Sequence, residues 1–174
     1  TSGGHGQAAI ELAVLNHAVT LSDDIAVRFA ALVCDLDRGT RNGLGHGGLE
    51  ALCERQRVPN ACRDLAAMAL RHRNQAQKAA TLPAAQLLEL LNSLDAFRRP
   101  GRLAQFLLVC KADARAGQHE FHGECLPAAL AAAQAVRADD LQQQGLSGKE
   151  IGAALQQKRI TAIADALSQG QPDN

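Results

Sequence analysis

Asp35 is the residue around which a chemistry can be written. Ile25, Phe29, Leu32, Val33 and Leu36 recur at helical spacing, giving their stretch one apolar stripe, and Asp35 falls near the end of that helix, shortly before Gly39. A carboxylate there stands where a metal-binding group can project. Three sets of basic residues offer a second chemistry: Arg55, Arg57 and Arg63; Arg71, Arg73 and Lys78; and Arg98, Arg99 and Arg102. Such sets hold an RNA backbone by charge and bidentate hydrogen bonds, and they equally form an ordinary solvated helix face. The chain is 2% aromatic, with no Trp and no Tyr, so base stacking adds little to any affinity for RNA.

The elements that must position these groups are helices. With 47% hydrophobic residues and so few aromatic ones, the core is filled by Leu, Ala, Val and Ile, and a chain rich in Ala and Leu loses little side-chain freedom on a helix. The composition predicts an all-α bundle of about eight helices over residues 1–174, one domain or a compact pair of helical subdomains, with 1–6 as a frayed lead-in and 169–174 as a frayed tail.

A first helix is expected over residues 7–20, with Ile10, Val14, His17 and Leu21 on one stripe. Ser22, Asp23 and Asp24 are expected to cap the next one. Residues 39–48 read as a glycine-rich turn and helix resumes at 49–56. After Pro59, Cys62, Leu65, Ala66 and Ala69 form a helical face that closes at Arg71-His72-Arg73. Leu87, Leu90, Leu91 and Leu94 make the strongest amphipathic stripe, with Pro83 at its start and Thr81 as a candidate cap. Leu103, Phe106, Leu107 and Cys110 mark the buried face of a further helix; 116–124 is a loop; an alanine-rich helix runs over 127–137. Ser147-Gly148-Lys149-Glu150 carries the capping-box pattern of a last helix.

Lys plus Arg and Asp plus Glu are both 18, so global charge gives no support for a dedicated nucleic-acid binder, which usually carries a basic excess. The five cysteines, Cys34, Cys53, Cys62, Cys110 and Cys125, form no C-x-x-C pair and point to reduced thiols in a cytoplasm. No run approaches the roughly 20 apolar residues that span a bilayer. The chain begins at Thr1, as an excised fragment would.

The order of motifs resembles the His-Asp (HD) phosphohydrolase domain at the C-terminal end of bacterial CCA-adding enzymes, the tRNA nucleotidyltransferases. Arg28-Phe29-Ala30-Ala31-Leu32-Val33 precedes Cys34-Asp35-Leu36-Asp37-Arg38-Gly39 where that family has His-Asp-Leu-Gly-Lys-Gly. Leu52 to Asn60 with Arg63-Asp64-Leu65-Ala66, then Asp95-Ala96-Phe97-Arg98-Arg99-Pro100, Cys110-Lys111-Ala112-Asp113-Ala114-Arg115 and Gly145-Leu146-Ser147-Gly148 follow in the family's order. The resemblance covers most of the chain. It implies a domain that gathers imidazoles and a carboxylate from several helices around a divalent ion (Ni, Mn, Mg or Zn), which acidifies a bound water and neutralises phosphate charge.

The departures from the pattern fall on the ligands the resemblance implies. The family's first histidine aligns with Ile10, the second with Cys34, and the aspartate of the later His-Asp pair with Arg73. What remains is a degenerate ligand set of Cys34, Asp35, His46 and His72, with Asp35 as the catalytic candidate and Arg98, Arg99 and Arg102 as RNA contacts. An unactivated thiol of pKa near 8.5 is mostly protonated at neutral pH, although a thiolate binds zinc well. Each residue also has a plainer reading: Cys34 as a small buried residue, Asp35 as a solvated carboxylate at a helix end, His46 as an exposed residue in a glycine turn, and His72 as a surface residue at a helix end where positive charge complements the dipole. His17 reads as a partly buried histidine.

Three functions follow from these readings. The first is a CCA-enzyme HD-domain remnant, related to tRNA 3′-end processing, with little or no hydrolysis of its own and with metal absent or weakly held. The second is an active metal-dependent phosphohydrolase, a phosphatase or 2′,3′-cyclic phosphodiesterase, rebuilt from Cys34, Asp35, His46 and His72. The third is a non-catalytic module that binds tRNA or forms a homodimer. None of the three calls for a membrane.

Overall fold

The computed structural model describes residues 11–170, and every element in it is helical: α1 (Ala13–Leu21), α2 (Ile25–Gly39), α3 (Gly45–Gln56), α4 (Asn60–Gln77), a single 3₁₀ turn (Ala79–Thr81), α5 (Ala84–Ser93), α6 (Pro100–Ala116), α7 (Cys125–Ala135), α8 (Ala138–Gln142) and α9 (Gly148–Gln169). The all-α expectation is borne out. The expectations for Ile10, for the 1–6 lead-in and for the last four residues of the tail lie outside the described residues. The described residues divide into two compact units, one of residues 11–73 with 105–120 and the other of residues 74–104 with 121–170.

In the first unit α1 packs along α2. The large apolar residues of α2 mark its buried face only in part. Of the expected stripe Val33 is fully buried, Phe29, Leu32 and Leu36 are half-buried and Ile25 is 75% exposed, whereas Val27, Ala30, Ala31 and Cys34, outside that stripe, are fully buried. The core face is thus rotated toward the small residues, which let neighbouring helices approach closely. Asp35 lies on that face, next to Cys34, and is itself buried.

Among the described residues helix α1 begins at Ala13, where the Asp35 carboxylate meets its first turn; the expected start at residues 7–10 lies outside the described residues. Of the expected caps of α2, Asp24 is the N-cap and accepts from the Ala26 N–H at 2.8 Å. Ser22 instead accepts from the Asp24 N–H at 3.1 Å, and Asp23 pairs with Arg28 at 2.6 Å. The Gln105 side-chain amide donates to the other Asp24 oxygen at 2.6 Å, and this bond, with the helix N–H groups and against burial, lowers the Asp24 pKa.

Two expectations about α3 and α4 change. The glycine run ends earlier than expected, since α3 begins at Gly45, and α4 continues past Arg73 to Gln77. Gly43 has φ +75°, and a Cβ there would sit 3.0 Å from Asp37 Oδ1, so the turn between α2 and α3 needs both the left-handed backbone and the missing side chain.

In the second unit α7 lies chiefly against α9, α5 packs on both, and α8 closes on α9. The expected leucine stripe is its centre: Leu87, Leu90, Leu91 and Leu94 are all at most 1% exposed. Ala129 and Ala133 are fully buried, so the alanine bias of α7 serves close helix contact. The capping box holds, with Glu150 accepting from the Ser147 N–H at 3.4 Å. Thr81 does not cap α5; it lies in the 3₁₀ turn and donates to Lys78 O, and Pro83 takes the N-cap place. Of the expected buried face of α6, Leu103 is buried in this unit, while Phe106 and Cys110, in the first unit, are buried together with Val109, and Leu107 is only half-buried. Helix α8 was not expected; two acidic residues, Asp139 and Asp140, occupy its first turn, where they suit the helix dipole.

Candidate functional site

Both oxygens of Asp35 are committed to backbone. Oδ1 accepts from the Val14 N–H and Oδ2 from the Leu15 N–H, each at 2.9 Å, and the residue is 2% exposed. These N–H groups belong to the first turn of α1, which has no side-chain cap of its own. Asp35 thus caps, from α2, a helix that precedes it by some twenty residues. The solvated reading of Asp35 is overturned by this burial, and the carboxylate does not project from the fold.

Cys34 matches its plainer reading. It is fully buried, and burial, opposed by Arg73 and reinforced by Asp113 and Asp37, pushes its pKa up to about 12. At neutral pH it is a thiol. Cys110 is also fully buried, and its pKa is raised by burial and by Cys34 beside it.

His72 is not at a helix end. It lies within α4, half-buried, and burial followed by the neighbouring Arg71 lowers its pKa, so the ring is neutral at physiological pH and lends no charge to a dipole. His46 sits in the first turn of α3 rather than in a turn between helices, is exposed, and faces Glu50 at 3.5 Å. Asp37, Gly45, His46, Leu49, Ala67, Leu70 and Arg71 line a cavity of about 200 Å³. Among the described residues no group of three or more His, Cys, Asp and Glu side chains gathers closely enough to hold a metal ion. Of the expected ligands, Asp35 is buried against two amides and Cys34 is held as a protonated thiol, a poor pair of donors for a divalent ion in this arrangement.

What the structure does gather was missed in the sequence. Arg73, 7% exposed, donates from Nη2 to Asp37 Oδ2 at 2.5 Å, and its Nε lies 3.7 Å from Asp113 Oδ2. Arg38 binds Asp113 twice, at Oδ1 (2.7 Å) and at the backbone carbonyl (3.0 Å). Asp37 also accepts from the Leu44 N–H at 2.7 Å, which ties it to the start of α3. Burial tends to raise the Asp37 pKa, but the Arg73 hydrogen bond and the Leu44 and Gly45 N–H groups outweigh it and hold the carboxyl below its ordinary range. Burial likewise works against the Arg73 charge, and Cys34, Asp37 and Asp113 overcome it and raise the guanidinium pKa. The signal was available: Asp37, Arg38, Arg73 and Asp113 are four of the charges in otherwise apolar helical faces, but their pairing needs three helices to meet.

The residues expected to touch RNA lie in the second unit. Arg98 and Arg99 are 79% and 55% exposed and share Asp95, each at 3.9 Å, a geometry too long and too wet to hold them. Arg102 is half-buried near the start of α6. Elsewhere in the unit, Arg159 stacks on Phe97 at 4.7 Å. No helix among the described residues is long and apolar enough to cross a membrane.

Comparison with known proteins points one way. The chain is 43% identical over 169 residues to the multifunctional CCA protein of Thioalkalivibrio sulfidiphilus, covering 87% of this chain and 41% of that protein. It is 42% identical over 173 residues to that of Nitrosococcus oceani (90% and 42%) and 40% identical over 177 residues to that of Alkalilimnicola ehrlichii (92% and 43%). The chain thus spans about two fifths of the length of these relatives. No family model matches it, and no solved structure matches it.

Proposed function

We propose that this chain, akin along nearly its whole length to multifunctional CCA proteins, is the helical C-terminal part of such an enzyme, serves tRNA 3′-end maturation in the cytoplasm, and hydrolyses no phosphate ester itself. The observation that carries the last clause is the engagement of Asp35. Asp35 is 2% exposed, and each of its oxygens accepts from an N–H at the start of α1, so the carboxylate faces that helix rather than solvent, which disfavours binding an ion or activating water there. Arg73 adds to this, because a fixed guanidinium between Asp37 and Asp113 repels a divalent cation.

The domain's part is then structural and electrostatic. Arg98 and Arg99, exposed at the mouth of α6, contribute phosphate contacts that position a tRNA without reading its sequence. Self-association into a homodimer is compatible with this role and is read by light scattering.

The test is hydrolysis of 2′,3′-cyclic AMP with nickel, manganese or magnesium. The expected result is no turnover above the protein-free blank. Turnover that disappears in a folded His72→Gln or His46→Ala variant would establish the rebuilt phosphohydrolase instead. Loss in Asp35→Ala alone decides nothing, because that residue also holds α1.

A further inference from the structure

The turn between α5 and α6 is fixed by its backbone. Asp95 has φ +51°, the left-handed conformation that ends many helices, and the amides that follow α5 find carbonyls behind them: Asp95 N–H donates to Asn92 O at 3.0 Å and Ala96 N–H to Leu91 O at 3.1 Å. Ala96 is fully buried, and after it come Phe97, half-buried, and Arg98 and Arg99, exposed. Because α5 packs on α9, Arg159 of α9 reaches this turn, and its guanidinium lies 4.7 Å from the centre of the Phe97 ring.

Arg38 and Arg73 end on carboxylates; Arg159 does not. It has no carboxylate partner among the described residues, and its buried Nε has no acceptor, an arrangement that stability alone does not favour. The aromatic face takes the place of a carboxylate in ordering the guanidinium and leaves its Nη groups open. Around Phe97 there are then three guanidiniums, Arg98, Arg99 and Arg159, and one carboxylate, Asp95, 3.9 Å from each of the first two. This is a local excess of positive charge in a chain whose formal net charge is zero. Planar forks spread over a turn and a helix suit a run of phosphates, each able to accept two parallel N–H bonds, better than one small anion.

We infer that Arg159, steadied on the face of Phe97, binds a phosphate of an RNA backbone next to those met by Arg98 and Arg99. The inference rests on the proposed function, in which the partner is a tRNA, and goes beyond it by placing the anchor of the contact on α9. Phe97 is a positioning residue: it holds the guanidinium plane in place, so less side-chain freedom is lost when RNA binds.

The experiment measures binding of an unmodified tRNA transcript by fluorescence anisotropy between about 20 and 200 mM KCl. It compares the unsubstituted chain with Arg159→Gln, Phe97→Leu and the double variant Arg98→Gln/Arg99→Gln, each checked for folding by circular dichroism. Arg159→Gln is expected to weaken binding about tenfold at low salt and to lower the slope of log Kd against log salt by about 0.7–0.9, the loss of one phosphate contact. Phe97→Leu is expected to keep the slope and weaken binding about threefold, since the charge stays and its placement is lost. If Arg159→Gln does not fold, Arg159→Lys replaces it: an unchanged slope with about threefold weaker binding supports the inference, and unchanged affinity overturns it. Arg159→Gln with the affinity and slope of the unsubstituted chain overturns it as well. So does displacement of the tRNA by polyglutamate of equal charge, which marks an acidic protein partner, or by inorganic phosphate at equal ionic strength, which marks a small-anion site. Loss in Arg98→Gln/Arg99→Gln with Arg159→Gln silent removes the inference and keeps the proposed contacts; the opposite pattern keeps Arg159 and removes the role of Arg98 and Arg99. An unsubstituted chain that binds no tRNA at the lowest salt overturns both.

Discussion

Replacing Asp35 by Ala separates a structural carboxylate from a catalytic one. The substitution removes the acceptor of two hydrogen bonds, Val14 N–H and Leu15 N–H at 2.9 Å each, from a residue 2% exposed. Hydrogen bonds to a charged group contribute about 1.5–3 kcal/mol each, and a buried donor left without a partner costs about 1–3 kcal/mol. The Val14 amide is buried and the Leu15 amide only partly so, which lets water repair one of the two. The expected loss is therefore about 3–5 kcal/mol, a large share of the roughly 5–15 kcal/mol that holds a domain together. For a chain of this size that corresponds to a fall in Tm of about 6–20 °C. Asp35→Asn keeps one carbonyl oxygen but turns an amide N–H toward the second donor, and should lose about half as much. The assay is thermal or urea unfolding by circular dichroism in EDTA, with amide exchange at Val14 and Leu15 as the local readout. A capping carboxylate gives the same loss with and without metal. If Asp35→Ala melts within about 2 °C of the parent in EDTA and falls behind only when nickel, manganese or magnesium is added, the residue is a ligand and the reasoning fails.

The remaining predictions concern titration and access. The Asp37 pKa is lowered in the fold, so its contribution is fully present above the unfolded value near pH 4 and is lost as pH falls through the folded value. Asp37→Asn should accordingly be less stable at neutral pH and show a flatter acid limb in unfolding measured from pH 5 downward. The His72 pKa is also lowered, so the neutral ring's contribution is present above its unfolded value near 6.5 and is lost as pH falls through the folded value below it. Proton NMR should find the His72 ring titrating below pH 6.5, and His72→Gln should remove part of the stability slope in that range. Of the five thiols, Cys34, Cys53, Cys62 and Cys110 are at most 4% exposed and Cys125 is half-buried. Ellman's reagent at pH 8 should label one thiol readily and the other four only on unfolding; rapid labelling of Cys34 would contradict its burial.

Residue types and their periods determined a good deal unaided. The Ala and Leu excess with scarce β-branching made the chain helical; the stripe from Leu87 to Leu94 named one core; the serine and glutamate at 147 and 150 fixed the start of α9; and the order of motifs placed the chain among relatives of the CCA proteins. These are properties of neighbours three or four residues apart, which sequence displays directly. The resemblance also implied that Cys34 and Arg73 depart from a metal-binding pattern. It did not show what those departures had become. The buried face of α2 was only partly read, with Val33 named but Val27, Ala30, Ala31 and Cys34 not, because large side chains are easier to see than the alanines that admit a close neighbour. The partner of Asp35 lies at the start of a different helix, and the partners of Arg73 lie on α2 and α6. Which charge meets which amide or which other charge depends on how separate helices are brought together, and only the tertiary structure decides that.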